Sequence, residues 1–198
     1  AIGNFDDDAF PEVVVVSSGT VRVVNHDGTP VWGPFAIPGG GEGGAPTIAD
    51  FDGDGKAEIG VAGANQYSAF DTDGTLLWSS ATQDGTSRQT GSSVFDFNGD
   101  GNAEVIYGDE LFLRIFDGRD GNVLYELPKS SCTTFEEPVV VDVDADGHAE
   151  IVTVANTSCG YGSEHGIFVI GGENNDWSTT RQIWNQHSYH VTNISDDG

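Results

Sequence analysis

Positive charge is what this chain has least of: seven lysines and arginines stand against 32 aspartates and glutamates, for a formal charge of −25 at neutral pH. A surface of that sign repels phosphate backbones and anionic bilayers, so nucleic acid and membrane are excluded as expected partners. Methionine is missing, even at position 1, which predicts a processed product or an excerpt of a longer chain. Long apolar runs are missing as well. The longest aliphatic run, Val13 to Val16, is far short of the ~20 residues that cross a bilayer, and no charged-then-apolar leader opens the sequence. Cysteine is scarce, and in an acidic extracellular protein Cys132 and Cys159 are expected to pair. Recognisable catalytic motifs are absent: there is no Gly-x-Ser-x-Gly elbow and no cysteine–histidine arrangement of familiar spacing. The literal Gly-x-Gly-x-x-Gly at residues 39–44 has no helix pattern behind it and carries an acid, so it reads as a linker.

What is present is a repeat. Acidic segments at residues 50–58, 96–104 and 142–150 start 46 residues apart, and a looser copy at 4–12 keeps the same step. A second landmark shares the period: turns of the Asp-Gly kind begin at Asn25, Asp71 and Asp117, and each is followed by an aromatic, Trp32, Trp78 or Tyr125. Trp32 and Trp78 are expected in the core. Strands are expected at residues 13–17, 21–25, 57–62, 68–71, 103–107, 111–117, 139–143, 151–155 and 167–170, and nothing reads as a helix. Short strands and fixed turns in a period of 40 to 50 residues describe four-stranded antiparallel propeller blades. The fold class is therefore all-β, a β-propeller or part of one, with an open β-solenoid as the alternative. One repeat-built domain over residues 1–198 is expected, with blades starting near 1, 47, 92 and 137 and a tail at 178–198. The fourth copy carries an insert at 156–164 that contains Cys159 and Tyr161. A bridge to Cys132 would tie it to its own blade, and Tyr161 is its best candidate for a ligand contact.

Oxygen-bearing residues recur at places one, three, five and nine of each acidic segment, which suits a hard cation taking six to eight oxygens. The assigned side-chain ligands are Asn4, Asp6, Asp8 and Glu12; Asp50, Asp52, Asp54 and Glu58; Asp96, Asn98, Asp100 and Glu104; and Asp142, Asp144, Asp146 and Glu150. Phe10, Lys56, Asn102 and His148 would add backbone carbonyls. About four calcium ions are expected; magnesium fits worse, because it demands a small octahedral shell. The alternative is that Asp-Gly clusters are solvated turns. Four in register count against it, and 14 of the 32 acids sit in these sixteen places. His187 and His190 are the one histidine pair close in sequence, and residues three apart on a strand face opposite sides, so stacking or hydrogen bonding at a blade edge is expected of them.

These loops resemble the FG-GAP, or VCBS-type, repeats of integrin α-subunit propellers and bacterial secreted proteins. The resemblance spans about residues 1–175. Its Asp-x-Asp-x-Asp-Gly-x-x-Asp/Glu pattern is matched at 50–58, 96–104 and 142–150 and more loosely at 4–12. It implies a structural-calcium propeller and extracellular adhesion or recognition, with seven blades as the usual closure. The segment 181–193 resembles one that follows such repeats in large bacterial surface proteins.

The function expected from these readings is a secreted calcium-binding propeller segment acting in adhesion, recognition or assembly of a surface structure, and not an enzyme. Its partners would be a protein or glycan at the cell surface, or further copies of itself through the chain ends, where a strand at 1–4 could be completed by the tail at 189–194. The alternative is a glycan-binding module of a carbohydrate-active enzyme. A catalyst in its own right would have to draw on Glu110, Glu136, Glu137 or Glu164, the acids outside the loops with no other assignment.

Overall fold

A computed structural model describes residues 1–6, 8–185 and 194–195. Its described residues form fifteen strands and no helix. The first sheet holds β1 (Ile2–Gly3), β2 (Glu12–Ser17), β3 (Thr20–Val24) and β4 (Pro30–Ala36). The second holds β5 (Thr47–Ala49), β6 (Glu58–Ala62), β7 (Gln66–Phe70) and β8 (Leu76–Ala81). The third holds β9 (Ser93–Phe95), β10 (Glu104–Gly108), β11 (Phe112–Phe116) and β12 (Val123–Pro128), and the fourth β13 (Val139–Val141), β14 (Glu150–Ala155) and β15 (Gly166–Gly171). Each sheet is an antiparallel meander in sequence order, so each is one propeller blade, and the four are not closed into a ring.

The middle strands of each blade are the ones whose apolar pattern shows in the sequence. The innermost β5 and β9 are three residues long, and the outermost β4, β8 and β12 are half exposed, so neither kind carries a clear period. The fourth blade has three strands among the described residues rather than four. Instead of an outer strand, the segment after β15 folds back across the acidic loops. Trp177 packs on Phe97 with ring centroids 4.6 Å apart, the Ser178 N–H donates to the Phe97 carbonyl at 2.8 Å, and Thr179 bridges His148. The proposed pairing of the tail at 189–194 with the opening strand, and the pair His187 and His190, fall on residues outside those described, apart from Ile194.

Blades pack face to face through three aliphatic and aromatic clusters. One joins blades 1 and 2 through Val14, Val21, Val23, Ile59 and Phe70; a second joins blades 2 and 3 around Tyr67, Trp78 and Phe116; a third joins blades 3 and 4 around Ile106, Leu113 and Ile151. Two tryptophans in equivalent places also lock neighbouring blades by hydrogen bonds. The Trp32 indole donates to the Thr72 carbonyl at 2.8 Å, and the Trp78 indole to the Gly118 carbonyl at 2.5 Å. Each acceptor lies in the Asp-Gly turn of the next blade, which is why aromatic and turn share one period.

The end blades lack a neighbour on one side. Val13 in blade 1 is 41% exposed while Ile59, one repeat later, is fully buried. Ile167 in blade 4 is 73% exposed, yet Leu113, its counterpart by strand pairing in blade 3, is fully buried under blade 4. Burying a side chain of this size stabilises by roughly 1.5–3 kcal/mol, so each end presents an aliphatic face of the kind that blade packing covers inside the array.

Candidate metal centres in the acidic loops

Each acidic loop joins the innermost strand of a blade to the next one, and the same scaffold holds all four. The ninth-place glutamate starts the second strand, is shielded from solvent, and receives through Oε2 the N–H of the second-place residue. These bonds run Phe5 to Glu12 at 2.7 Å, Phe51 to Glu58 at 2.7 Å, Phe97 to Glu104 at 2.8 Å and Val143 to Glu150 at 2.9 Å. One carboxylate oxygen thus closes the loop; the other, Oε1, meets Thr72 at Glu58 and Asn98 at Glu104 and has no hydrogen-bond partner at Glu12. The fifth-place carboxylates of Asp8, Asp54, Asp100 and Asp146 accept the N–H of Phe10, Lys56, Asn102 and His148, at 2.6 to 2.9 Å.

In loops two to four the first-place aspartate spans the turn. Asp50 accepts from Gly53 at 2.7 Å and Gly55 at 2.9 Å, Asp96 from Gly99 at 2.7 Å and Gly101 at 2.9 Å, and Asp142 from Ala145 at 2.7 Å and Gly147 at 3.1 Å. The turn needs positive φ at its fourth place, which Gly53 and Gly99 take at 83° and 72°; in loop four Ala145 is forced to 68°. In loop one the fourth place, residue 7, lies outside the described residues. There Asp6 donates its N–H to Asn4 at 3.3 Å, and Asp8 donates to Asp6 at 2.8 Å.

The loops differ in which acids converge. Loop two gathers Asp50, Asp52 and Glu58 with ligand oxygens within 4.8 Å of one another, and Asp54 is held aside by Lys56 at 2.9 Å. Loop four gathers Asp142, Asp144 and Asp146 within the same span, and Glu150 lies outside that group. In loop three Asp96, Asn98, Asp100 and Glu104 share internal bonds, Asn98 Nδ2 to Glu104 Oε1 at 3.3 Å among them, and Arg119 stands 3.7 Å from Asp100. Loop one gathers Asp8 and Glu12 with His26, a residue of the following turn that the carboxylate spacing alone does not point to.

Two observations test whether a divalent cation fits. Glu12 Oε1 is buried without a hydrogen-bond partner, a free acceptor beside other carboxylates. Burial pushes the Glu58 carboxyl up to about 7 against the opposing Phe51 hydrogen bond, and the charges of Asp52, Asp50 and Asp54 add to the rise. Glu104 is raised in the same way, by burial first and then by Asp96, Asp100 and Asp117. Crowded carboxylates that resist ionisation are what a bound cation relieves. The all-oxygen donor sets of loops two and four suit calcium, which would act there as a cross-link between the two ends of each loop.

On the opposite rim, Cys132 and Cys159 are joined in a disulfide that ties the insert to the crossover before β13. Nearby acids are engaged by protein. Glu110 is buried and accepts from Gln83 at 2.9 Å and from Thr86 at 2.6 and 2.7 Å. Glu136 holds the buried Lys129 at 3.0 Å and also accepts from Ser131. The Glu164 carboxylate accepts the Ser163 N–H at 3.0 Å, and Glu137 lines a cleft of about 410 Å³ with Phe135, Gln89 and residues 43–46. Tyr161 is partly exposed on the insert.

Fold and loops together define a chain of propeller blades, each built on a repeated acidic loop. Residues 4–61 match the model of the FG-GAP-like repeat. Among solved structures the chain is similar to the V. cholerae biofilm matrix protein Bap1, with 34% identity, a TM-score of 0.66 and coverage of 72% of this chain and 24% of that one. The chain thus spans about a quarter of Bap1. A more distant likeness, at 19% identity and a TM-score of 0.49, is to the Pseudomonas aeruginosa PilY1 C-terminal domain, over 73% of this chain and 38% of that one. No curated protein matches the sequence.

Proposed function

We propose that this chain is a stretch of an extracellular propeller, set by structural calcium, that serves adhesion or assembly of a surface matrix and performs no catalysis. The observation that carries the reading is the 34% identity to a biofilm matrix protein across 72% of the chain. The loops support the calcium part: Asp50, Asp52 and Glu58 in loop two, and Asp142, Asp144 and Asp146 in loop four, converge within 4.8 Å as the all-oxygen sets that calcium takes. The aliphatic end faces support assembly, because each is the counterpart of a face that a neighbouring blade covers inside the array. A non-catalytic role is supported by Glu110 and Glu136, whose oxygens are already taken by protein donors.

The test is retention of the fluorescently labelled chain on matrix-producing bacteria, in calcium and in chelator, with light scattering on the same samples. Calcium-dependent retention or assembly supports the proposal; a monomer that washes off in both conditions overturns it. A second reading, a glycan-binding module, is favoured by Phe135 and Tyr161, exposed aromatics on the two arms tied by the disulfide. A glycan array with Phe135→Ala and Tyr161→Ala variants separates the two readings.

A further inference from the structure

We infer that the first acidic loop differs from the others in holding a borderline transition-metal cation, of the zinc class, between Asp8, Glu12 and His26. The inference deepens the metal reading of the loops, and it rests on a side chain that the repeat places only here. Residue 26 corresponds by the 46-residue step to Thr72 and Gly118. In blade 2 the Thr72 hydroxyl shares its proton between the Ala57 carbonyl at 3.1 Å and Glu58 Oε1 at 3.4 Å, and in blade 3, where Gly118 has no side chain, Asn98 serves Glu104 Oε1 at 3.3 Å. Blade 1 has His26 at that place, and the matching oxygen, Glu12 Oε1, is fully buried with no hydrogen-bond partner. A buried carboxylate oxygen left bare is costly and calls for a donor or a cation.

The rest of the loop is arranged to match. Lys56 neutralises Asp54 in blade 2, but its counterpart in blade 1 is Phe10, which carries no charge. Phe10 instead lies against the His26 ring, centroids 4.4 Å apart, and His26 Nδ1 stands 3.9 Å from Asp8 Oδ2. The ligand atoms of Asp8, Glu12 and His26 lie within 4.8 Å of one another. Ligands about 2.1 Å from a tetrahedral ion lie about 3.4 Å apart, so rotation of two exposed side chains closes the set. One imidazole and two carboxylates favour zinc and its neighbours in the first-row series over calcium, which takes oxygen alone.

The experiment uses the whole chain in saturating calcium. Zinc is titrated by calorimetry and cobalt by visible absorption, for the wild type and for His26→Thr, which installs the residue of blade 2. The calcium-induced rise in melting temperature is read on both proteins as the check on fold and on the remaining loops. The expected result is a zinc equivalent bound in the presence of calcium and a tetrahedral cobalt band, both lost or weakened at least tenfold in His26→Thr, with an equal calcium response in the two proteins. Equal zinc binding and equal cobalt spectra in both proteins overturn the inference. Loss of the calcium response in both proteins, with the His26-dependent zinc site intact, would count against calcium in the other loops and leave this site standing.

Discussion

Replacing Glu58 by glutamine should stabilise the calcium-free protein and remove most of the stability that calcium adds. The glutamine amide oxygen can still accept the Phe51 N–H that Glu58 Oε2 accepts at 2.7 Å, so the loop closure survives while the charge is lost. Two of the charges facing Glu58 are Asp50 and Asp52, with ligand oxygens within 4.8 Å. Two unit charges at that distance repel by about 0.9 kcal/mol in water and about 3.5 kcal/mol at the dielectric of a protein surface. At pH 8 in chelator, where the wild-type carboxyl is ionised, Glu58→Gln should therefore stabilise by at least about 1 kcal/mol. With calcium at a hundred times Kd, a site contributes about 2.7 kcal/mol, and a hundredfold loss of affinity leaves about 0.4 kcal/mol, so calcium should add about 2.3 kcal/mol more to the wild type than to the variant. Chemical denaturation in calcium and in chelator measures both arms. An equal calcium-induced gain in the two proteins would refute the metal reading of this loop.

The pH dependence should invert between chelator and calcium. Glu58 and Glu104 are raised in the folded state, Glu58 from 4.5 to about 7, so the metal-free fold binds these protons more tightly than the unfolded chain does. The Glu58 contribution is full below pH 4.5 and is lost as pH rises through about 7, and Glu104 acts in the same direction; melts in chelator should fall across that window, and melts in calcium should rise. Ala145→Gly should stabilise by about 1 kcal/mol, because Ala145 is held at φ 68° where the equivalent places carry glycine, and equilibrium denaturation reads it. Removing the Cys132–Cys159 bridge, whose sequence separation is 27, should cost about 3.5 kcal/mol on the loop-entropy model, measured as the loss of denaturation free energy in Cys132→Ser/Cys159→Ser. Trp78→Phe should destabilise more than Trp32→Phe, since the bond it breaks is fully buried and strands the Gly118 carbonyl, at about 1–3 kcal/mol by thermal melt.

The repeat was legible in the sequence because both of its markers are local. An acidic loop closes through contacts between residues two to seven apart, such as Asp54 to Lys56 and Phe51 to Glu58, so its spacing is written along the chain. The Asp-Gly turns are local for the same reason, and with them came the all-β class and the blade period. The tryptophans stood at the right period, but that they lock one blade to the turn of the next was invisible, because donor and acceptor are 40 residues apart. His26 was missed on the same ground: it meets Asp8 and Glu12 only when the β3–β4 turn is laid against the loop before β2.

What the sequence determined by itself is therefore the unit: the strands with a clear period, the turn, and the carboxylate set, each fixed by neighbours within a few residues. Only the tertiary structure decided what each copy of the unit meets. Val13 and Ile59 occupy the same place in the repeat and differ little in chemistry, yet one faces solvent and the other is sealed, because burial depends on which blade stands alongside. The same holds for the acids: Glu58 has Thr72 beside it and Glu12 has His26, so equal spacing in the chain leaves one oxygen partnered and the other bare.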